Sequence, residues 1–239
     1  MKDIALVIPS RIGSTRLANK PLVKIGDLTM IQRVILAAKS TAIEAIYVAT
    51  DTQEIADLAK SSGVQAILTD SGYTTGTDRV FAASKIANLP HKVIVNLQGD
   101  MPFIDPQVIE QVALMALNTS YDITTAVAPM PFEYAQSSSN VKVVIDSSSK
   151  ALYFSRALIP HLAESYLCHI GVYAFKRPAL ERFCSLPIAK IEKAESLEQL
   201  RALYHGMSIG AYIAKDVPIS VDTLDDLEKV RLFFLQNTN

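Results

Sequence analysis

Apolar residues follow two rhythms along the first half of the chain. IALVIP (4–9), AIYVAT (45–50), VQAILT (64–69) and KVIVNLQ (92–98) are short unbroken runs rich in β-branched residues, the signature of buried strands. Between them, apolar residues recur every three or four positions, as on one face of a helix. Ile31, Val34, Ile35 and Ala38 predict such a face in a helix opening near Thr29. Residues 52–62 predict a second helix, stopped by Gly63, where the missing Cβ permits a left-handed turn. Further helices are expected over 77–89 and from about 106. Strands alternating with helices of this length predict an α/β fold, with a mostly parallel central sheet and helices on both faces. Ligands of such sheets bind beyond the carboxyl ends of the strands. The polar loops after the first, third and fourth runs are therefore the places to expect chemistry.

The rhythm changes after residue 120. DITTAVAPM (122–130), VKVVID (141–146), ALYFS (151–155), LCHIGVYAF (167–175) and SIGAYIA (208–214) read as strands with fewer helices between them, a mixed continuation of the sheet with a small lobe. VDTLDDLEKVRLFF (221–234) reads as a final helix, with Thr223 and Asp226 as a capping box and Leu227, Val230 and Phe234 as its apolar face. We expect one domain over 1–239, with a first half (1–120), a second half (121–215) and a C-terminal segment (216–239).

Composition narrows the function. About half of the 239 residues are hydrophobic, enough for a sizeable core, and the net charge of −1 argues against general nucleic-acid binding. Cys168 and Cys184 match no zinc spacing and make no disulfide framework, so they read as reduced thiols. The start MKDIALVIPS carries Asp3 and breaks at Pro9, unlike a signal peptide, and no apolar run has the length of a membrane span. A cytoplasmic protein without stable membrane insertion is expected.

The segment IPSRIGSTRLANKPL (8–22) is the richest in chemistry. It sets Arg11, Arg16 and Lys20 around Gly13, Ser14 and Thr15, after the first strand. Backbone N–H groups and hydroxyls in such a loop donate to phosphate oxygens while the cations neutralise charge. One ammonium at about 4 Å from a phosphate charge contributes roughly 4 kcal/mol at an effective dielectric near 20, before desolvation. The sequence has neither GxxxxGK[ST] nor GxGxxG, so the P-loop and dinucleotide folds lose support. Asp100 follows the fourth strand beside Gly99, and Asp222 precedes the last helix. If both reach the ligand edge they could hold Mg²⁺, which takes one or two carboxylates with phosphate oxygens. Their competing roles are a turn residue for Asp100 and a helix N-cap for Asp222, although Thr223 already makes a good cap.

The segment resembles the nucleotide-binding signature of the sugar nucleotidyltransferases, in particular the cytidylyltransferases that activate 3-deoxy-manno-octulosonate (Kdo). TTGTDR (74–79), VNLQGDMP (95–102), YFSRALIP (153–160), HIGVY (169–173), ESLEQLR (195–201) and VDTLDDLEKVR (221–231) are similar to that family's further motifs, in order along nearly the whole chain. The resemblance implies a Rossmann-like nucleotidyltransferase fold. It also implies a homodimer joined through the second half, and a Mg²⁺-dependent transfer from CTP to an acidic sugar in lipopolysaccharide biosynthesis. Arg11, Arg16, Lys20, Arg79 and Gln98 would contact the nucleotide, with Lys20 stabilising charge on the α-phosphate and leaving pyrophosphate. Asp100 and Asp222 would hold the metal. Arg156, His169, Tyr173, Glu198 and Gln199 would line the sugar pocket. Their own chemistry is less telling, because a histidine in an apolar strand is commonly a core residue and Glu198 and Gln199 fit an exposed helix face.

The chain departs from the family pattern in three places. Met101 replaces a glutamate after the QGD aspartate, Ala18 and Asn19 replace a proline and a glycine, and a longer basic and aromatic stretch is reduced to HLAESYLC (161–168), with Cys168 before the histidine. Two alternatives therefore stay open. One is a variant acid sugar, either an 8-amino-octulosonate or a sialic-acid-like nonulosonate. The other is a non-catalytic nucleotide-binding protein, against which the joint presence of Arg11, Lys20, Asp100 and Asp222 argues.

Overall fold

A computed structural model describes residues 1–13 and 17–237. Strand β1 (Ile4–Ser10) leads through a single 3₁₀ turn (Lys20–Leu22) into a small antiparallel hairpin, β2 (Lys24–Ile25) and β3 (Leu28–Thr29), and then α1 (Met30–Lys39). There follow β4 (Ala45–Thr50), α2 (Gln53–Ser61), β5 (Gln65–Leu68), α3 (Gly76–Ile86), β6 (Val93–Leu97) and α4 (Pro106–Asn118). The later elements are β7 (Ile123–Met130), α5 (Phe132–Ala135), β8 (Lys142–Ile145), β9 (Ala151–Ser155), β10 (Tyr166–Lys176), α6 (Arg177–Ser185), α7 (Lys190–Glu195), α8 (Gln199–Tyr204), β11 (Ile209–Ile213) and α9 (Leu224–Asn237). The chain is thus an α/β protein with a mostly parallel sheet and helices around it, as the alternation of runs predicts. The hairpin and the 3₁₀ turn lie in a stretch for which the sequence predicts no element. Helices α6 to α8 correct the expectation of few helices in the second half. They are short, and a six-residue helix shows too little of its period to announce itself.

The chain folds as two compact units: residues 1–91, 96–110 and 218–239 form the first, and 92–95 with 111–217 the second. In the first unit β1 pairs in parallel with β4, and β4 with β5. Ile4 to Ile8 are wholly buried, which is why this strand shows no alternation. Thr29 caps α1 through a full capping box with Gln32, and α2 ends before Gly63 at φ +80°. The C-terminal helix belongs to this unit. Leu227 and Val230 join Leu17, Ile25, Met30 and Val221 in one apolar cluster, with Phe103 and Phe234 at its margin. Arg33 fastens the same region, donating to the carbonyl of Ile25 from Nε (3.0 Å) and Nη2 (2.8 Å) while its guanidinium lies 4.1 Å from the Phe234 ring centroid.

In the second unit β7 pairs in parallel with β11 and antiparallel with β10, and β8 pairs with both β9 and β10. The β7–β10 register slips between Ile170 and Tyr173, a bulge that leaves Gly171 and Val172 outside the ladder. Lys142 is wholly buried, and its ammonium donates to the carbonyls of Ser137, Asn140 and Arg156 at 2.6–3.0 Å. Three acceptors match its three N–H bonds, which makes the burial tolerable.

Candidate active site

In the first unit three distant segments bring their charged residues to one point. Lys20 is delivered by the 3₁₀ turn, entered through Asn19 at φ +51°. That left-handed conformation is cheap for glycine and tolerable for asparagine, so the replacement of the family's glycine keeps the turn. Pro21 then fixes the first turn and is buried. The Lys20 ammonium donates to Asp100 Oδ2 at 3.2 Å and to Asp222 Oδ1 at 2.9 Å. Asp100 stands just after β6, and its carbonyl accepts from Val221 N at 2.9 Å, tying that loop to the segment carrying Asp222. The N-cap role falls to Thr223: its hydroxyl accepts from Asp226 N, while Asp226 Oδ2 accepts from the backbone N–H groups of Asp222 and Thr223. Burial pushes the Asp226 carboxyl up, but a hydrogen bond from the Thr223 hydroxyl, with those two from backbone N–H groups, outweighs it and holds it below the usual range. The Asp222 side chain turns to Lys20. No cluster of three or more metal-ligating side chains occurs among the described residues. Two converging hard oxygen donors suit an ion whose shell a nucleotide's phosphates complete.

The other expected nucleotide contacts divide. Arg11 is exposed, and Arg16 lies outside the described residues. Arg79 is 1% exposed, with Nη1 donating to Thr69 Oγ1 (2.6 Å) and Nη2 to Asp51 Oδ2 (3.1 Å), so it braces the loops from within. Gln98 is oriented through a relay: its Nε2 donates to Asn96 Oδ1, and Asn96 Nδ2 donates to Thr77 Oγ1 in the first turn of α3. Gly76 and Gly99 make the crowding possible, since a Cβ on either would come within 3.3 Å of Pro9. Sequence reasoning passed over three residues here. Ser10 Oγ, Asp51 Oδ1 and Thr52 Oγ1, at or just after the ends of β1 and β4, are buried with no hydrogen-bond partner among the described residues. Buried polar atoms are rarely left so unless something polar meets them. Position at a strand's carboxyl end was the available signal.

The expected sugar residues all lie in the second unit. Arg156 donates from Nε to Glu195 O (2.8 Å), from Nη1 to Ser138 O (2.9 Å) and from Nη2 to Ser196 O (3.4 Å), so much of its guanidinium braces backbone. His169 is half-buried between Phe154, whose ring meets it edge-on, and Tyr173, both with centroids 5.3 Å away. Its Nε2 lies 2.9 Å from Thr125 Oγ1. Burial drops the imidazole pKa to about 3, so the ring is neutral at ordinary pH. Burial, helped by the nearby charge of Glu198, pushes the Tyr173 phenol up. Gln199 is buried, with Nε2 unpartnered among the described residues. Tyr173 thus lies beside His169 and within reach of the charge of Glu198.

A cytidylyltransferase family model matches residues 5–209. The 3-deoxy-manno-octulosonate cytidylyltransferases of Rickettsia felis and Rickettsia bellii are each 49% identical over 235 residues, covering 98% of this chain and 96% of theirs. A solved CMP:2-keto-3-deoxy-manno-octonic acid synthetase complexed with CTP superposes with a TM-score of 0.91 at 36% identity, over 98% of both chains. Fold and site together define a nucleotidyltransferase. Within that class, the chain belongs to the 3-deoxy-manno-octulosonate cytidylyltransferase family.

Proposed function

We propose that the protein joins CTP to 3-deoxy-D-manno-octulosonate, giving the CMP-sugar and pyrophosphate, as a cytoplasmic homodimer serving lipopolysaccharide biosynthesis. The observation that carries this reading is the meeting of Lys20, Asp100 and Asp222. The sugar's anomeric oxygen bonds to the α-phosphorus, the bond from that phosphorus to the bridging oxygen breaks, and the hydroxyl proton leaves to solvent. Lys20 stabilises the charge that builds on the α-phosphate and the departing pyrophosphate. Arg11 holds phosphate charge, and Gln98, set by Asn96, orients the nucleotide. Asp100 and Asp222 would hold Mg²⁺, which would neutralise phosphate charge and make the sugar hydroxyl more acidic. His169, Tyr173, Glu198 and Gln199 form the sugar site, with Arg156 shaping its wall.

The test is pyrophosphate release on mixing protein, CTP, Mg²⁺ and Kdo. Release with Kdo is expected. Release only with an 8-amino-octulosonate or a nonulosonate would move the assignment to that sugar, and none with any acid sugar would overturn the reading.

A further inference from the structure

The bulge in β10 has a chemical effect. Where the register slips, Thr125 of β7 sends its hydroxyl under the bulge, 2.8 Å from the carbonyl of Val172 and 3.2 Å from that of Ile170. The same oxygen lies 2.9 Å from His169 Nε2. A hydroxyl has one hydrogen and two lone pairs. If it gave that hydrogen to the imidazole, Thr125 would offer nothing to the carbonyl of Val172, which the bulge leaves outside the ladder, and a buried unmet acceptor costs about 1–3 kcal/mol. With the hydrogen on a bulge carbonyl, the contact to the ring is satisfied only by an Nε2–H donating to Thr125. Nδ1 then carries the lone pair, and no hydrogen bond to it occurs among the described residues. Phe154 and Tyr173 restrain the ring plane.

We propose that Thr125 is a positioning residue that fixes His169 as the Nε2–H tautomer, so that Nδ1 reads a hydroxyl donor on the acidic sugar. This rests on the reading of His169 as a sugar contact. The ring acts as a neutral acceptor, selecting for O–H at the place it faces and leaving the sugar's carboxylate to other groups. Its depressed pKa agrees, since a charged imidazolium would have no acceptor to offer.

The experiment is ¹⁵N NMR of histidine-labelled protein, with the His169 signals assigned by their loss in His169→Phe. Wild type should show a single neutral tautomer, protonated at Nε2. Thr125→Val, which keeps shape and removes the hydroxyl, should let the tautomer mix. It should also raise KM for Kdo about tenfold, the equivalent of one hydrogen bond of about 1.4 kcal/mol, with kcat and KM for CTP little changed. Thr125→Ser should restore both readouts. An Nδ1–H tautomer in wild type, or a Thr125→Val protein with unchanged tautomer and KM, overturns the proposal, and the wild-type spectrum decides even if Thr125→Val does not fold. If His169→Phe leaves KM for Kdo unchanged, the sugar-contact reading fails instead.

Discussion

Lys20 holds in one ammonium the place where two carboxylates would otherwise repel each other. Asp100→Asn or Asp222→Asn should abolish pyrophosphate release. Each ion pair is partly solvent-exposed and worth at most about 1 kcal/mol, so the melting temperature should fall by no more than roughly 2–4 °C. A divalent ion must compete with this ammonium. Lys20→Met should therefore bind Mn²⁺ more tightly than wild type in the absence of nucleotide, as read by calorimetry, while losing turnover. His169 bears on acid stability. Its folded pKa of about 3 lies below the unfolded value near 6.5, so its contribution is complete above 6.5 and is lost as pH falls toward 3, where only the unfolded chain takes up the proton. Urea titrations should show a shallower decline across that window in His169→Phe than in wild type. Of these residues, Asp100 was legible from its strand-end position and Lys20 from its place in a basic loop after the first strand, whereas Asp222 took its expected role from the family resemblance, a helix cap being its plainer reading. The burial of Arg79 was not, because its partner Asp51 lies on another element. Nor was the part played by Thr125, which reads as an ordinary β-branched strand residue.

At the scale of elements, the long ones were legible and the short ones were not. Strand β1 and helices α1 to α4 announce themselves over six or more residues. The β2–β3 hairpin, two residues on each side, has no period to show, yet it supports α9 and so places Asp222. Gly26 turns this hairpin at φ +65°, and a Cβ there would fall on the ring of Phe234. Gly26→Ala should cost roughly 2–4 kcal/mol, combining the left-handed backbone with overpacking, and urea unfolding measures it. Asn19→Gly, at the other left-handed position near the site, should be neutral within about 1 kcal/mol.

For the whole molecule, ligand linkage gives the broadest check. CTP at about a hundred times its Kd adds about 2.7 kcal/mol of stability, which for a chain of this size raises the melting temperature by roughly 5–11 °C. ATP, GTP and UTP should shift it less at equal concentration. The division into units was only partly legible. A return of the C-terminal segment follows from the role the resemblance implies for Asp222, but that residues 92–95 belong with the second unit depends on packing that no local pattern encodes. That division bears on biosynthesis. The first unit is interrupted in sequence by both segments of the second, and the Lys20–Asp222 contact spans 202 residues. A ribosome making this chain completes every other part of the site well before it adds Asp222. The nascent polypeptide therefore emerges with Lys20 and Asp100 already present and their third member missing. On the proposed role of Asp222, a truncated product that stops before residue 222 should release no pyrophosphate from CTP.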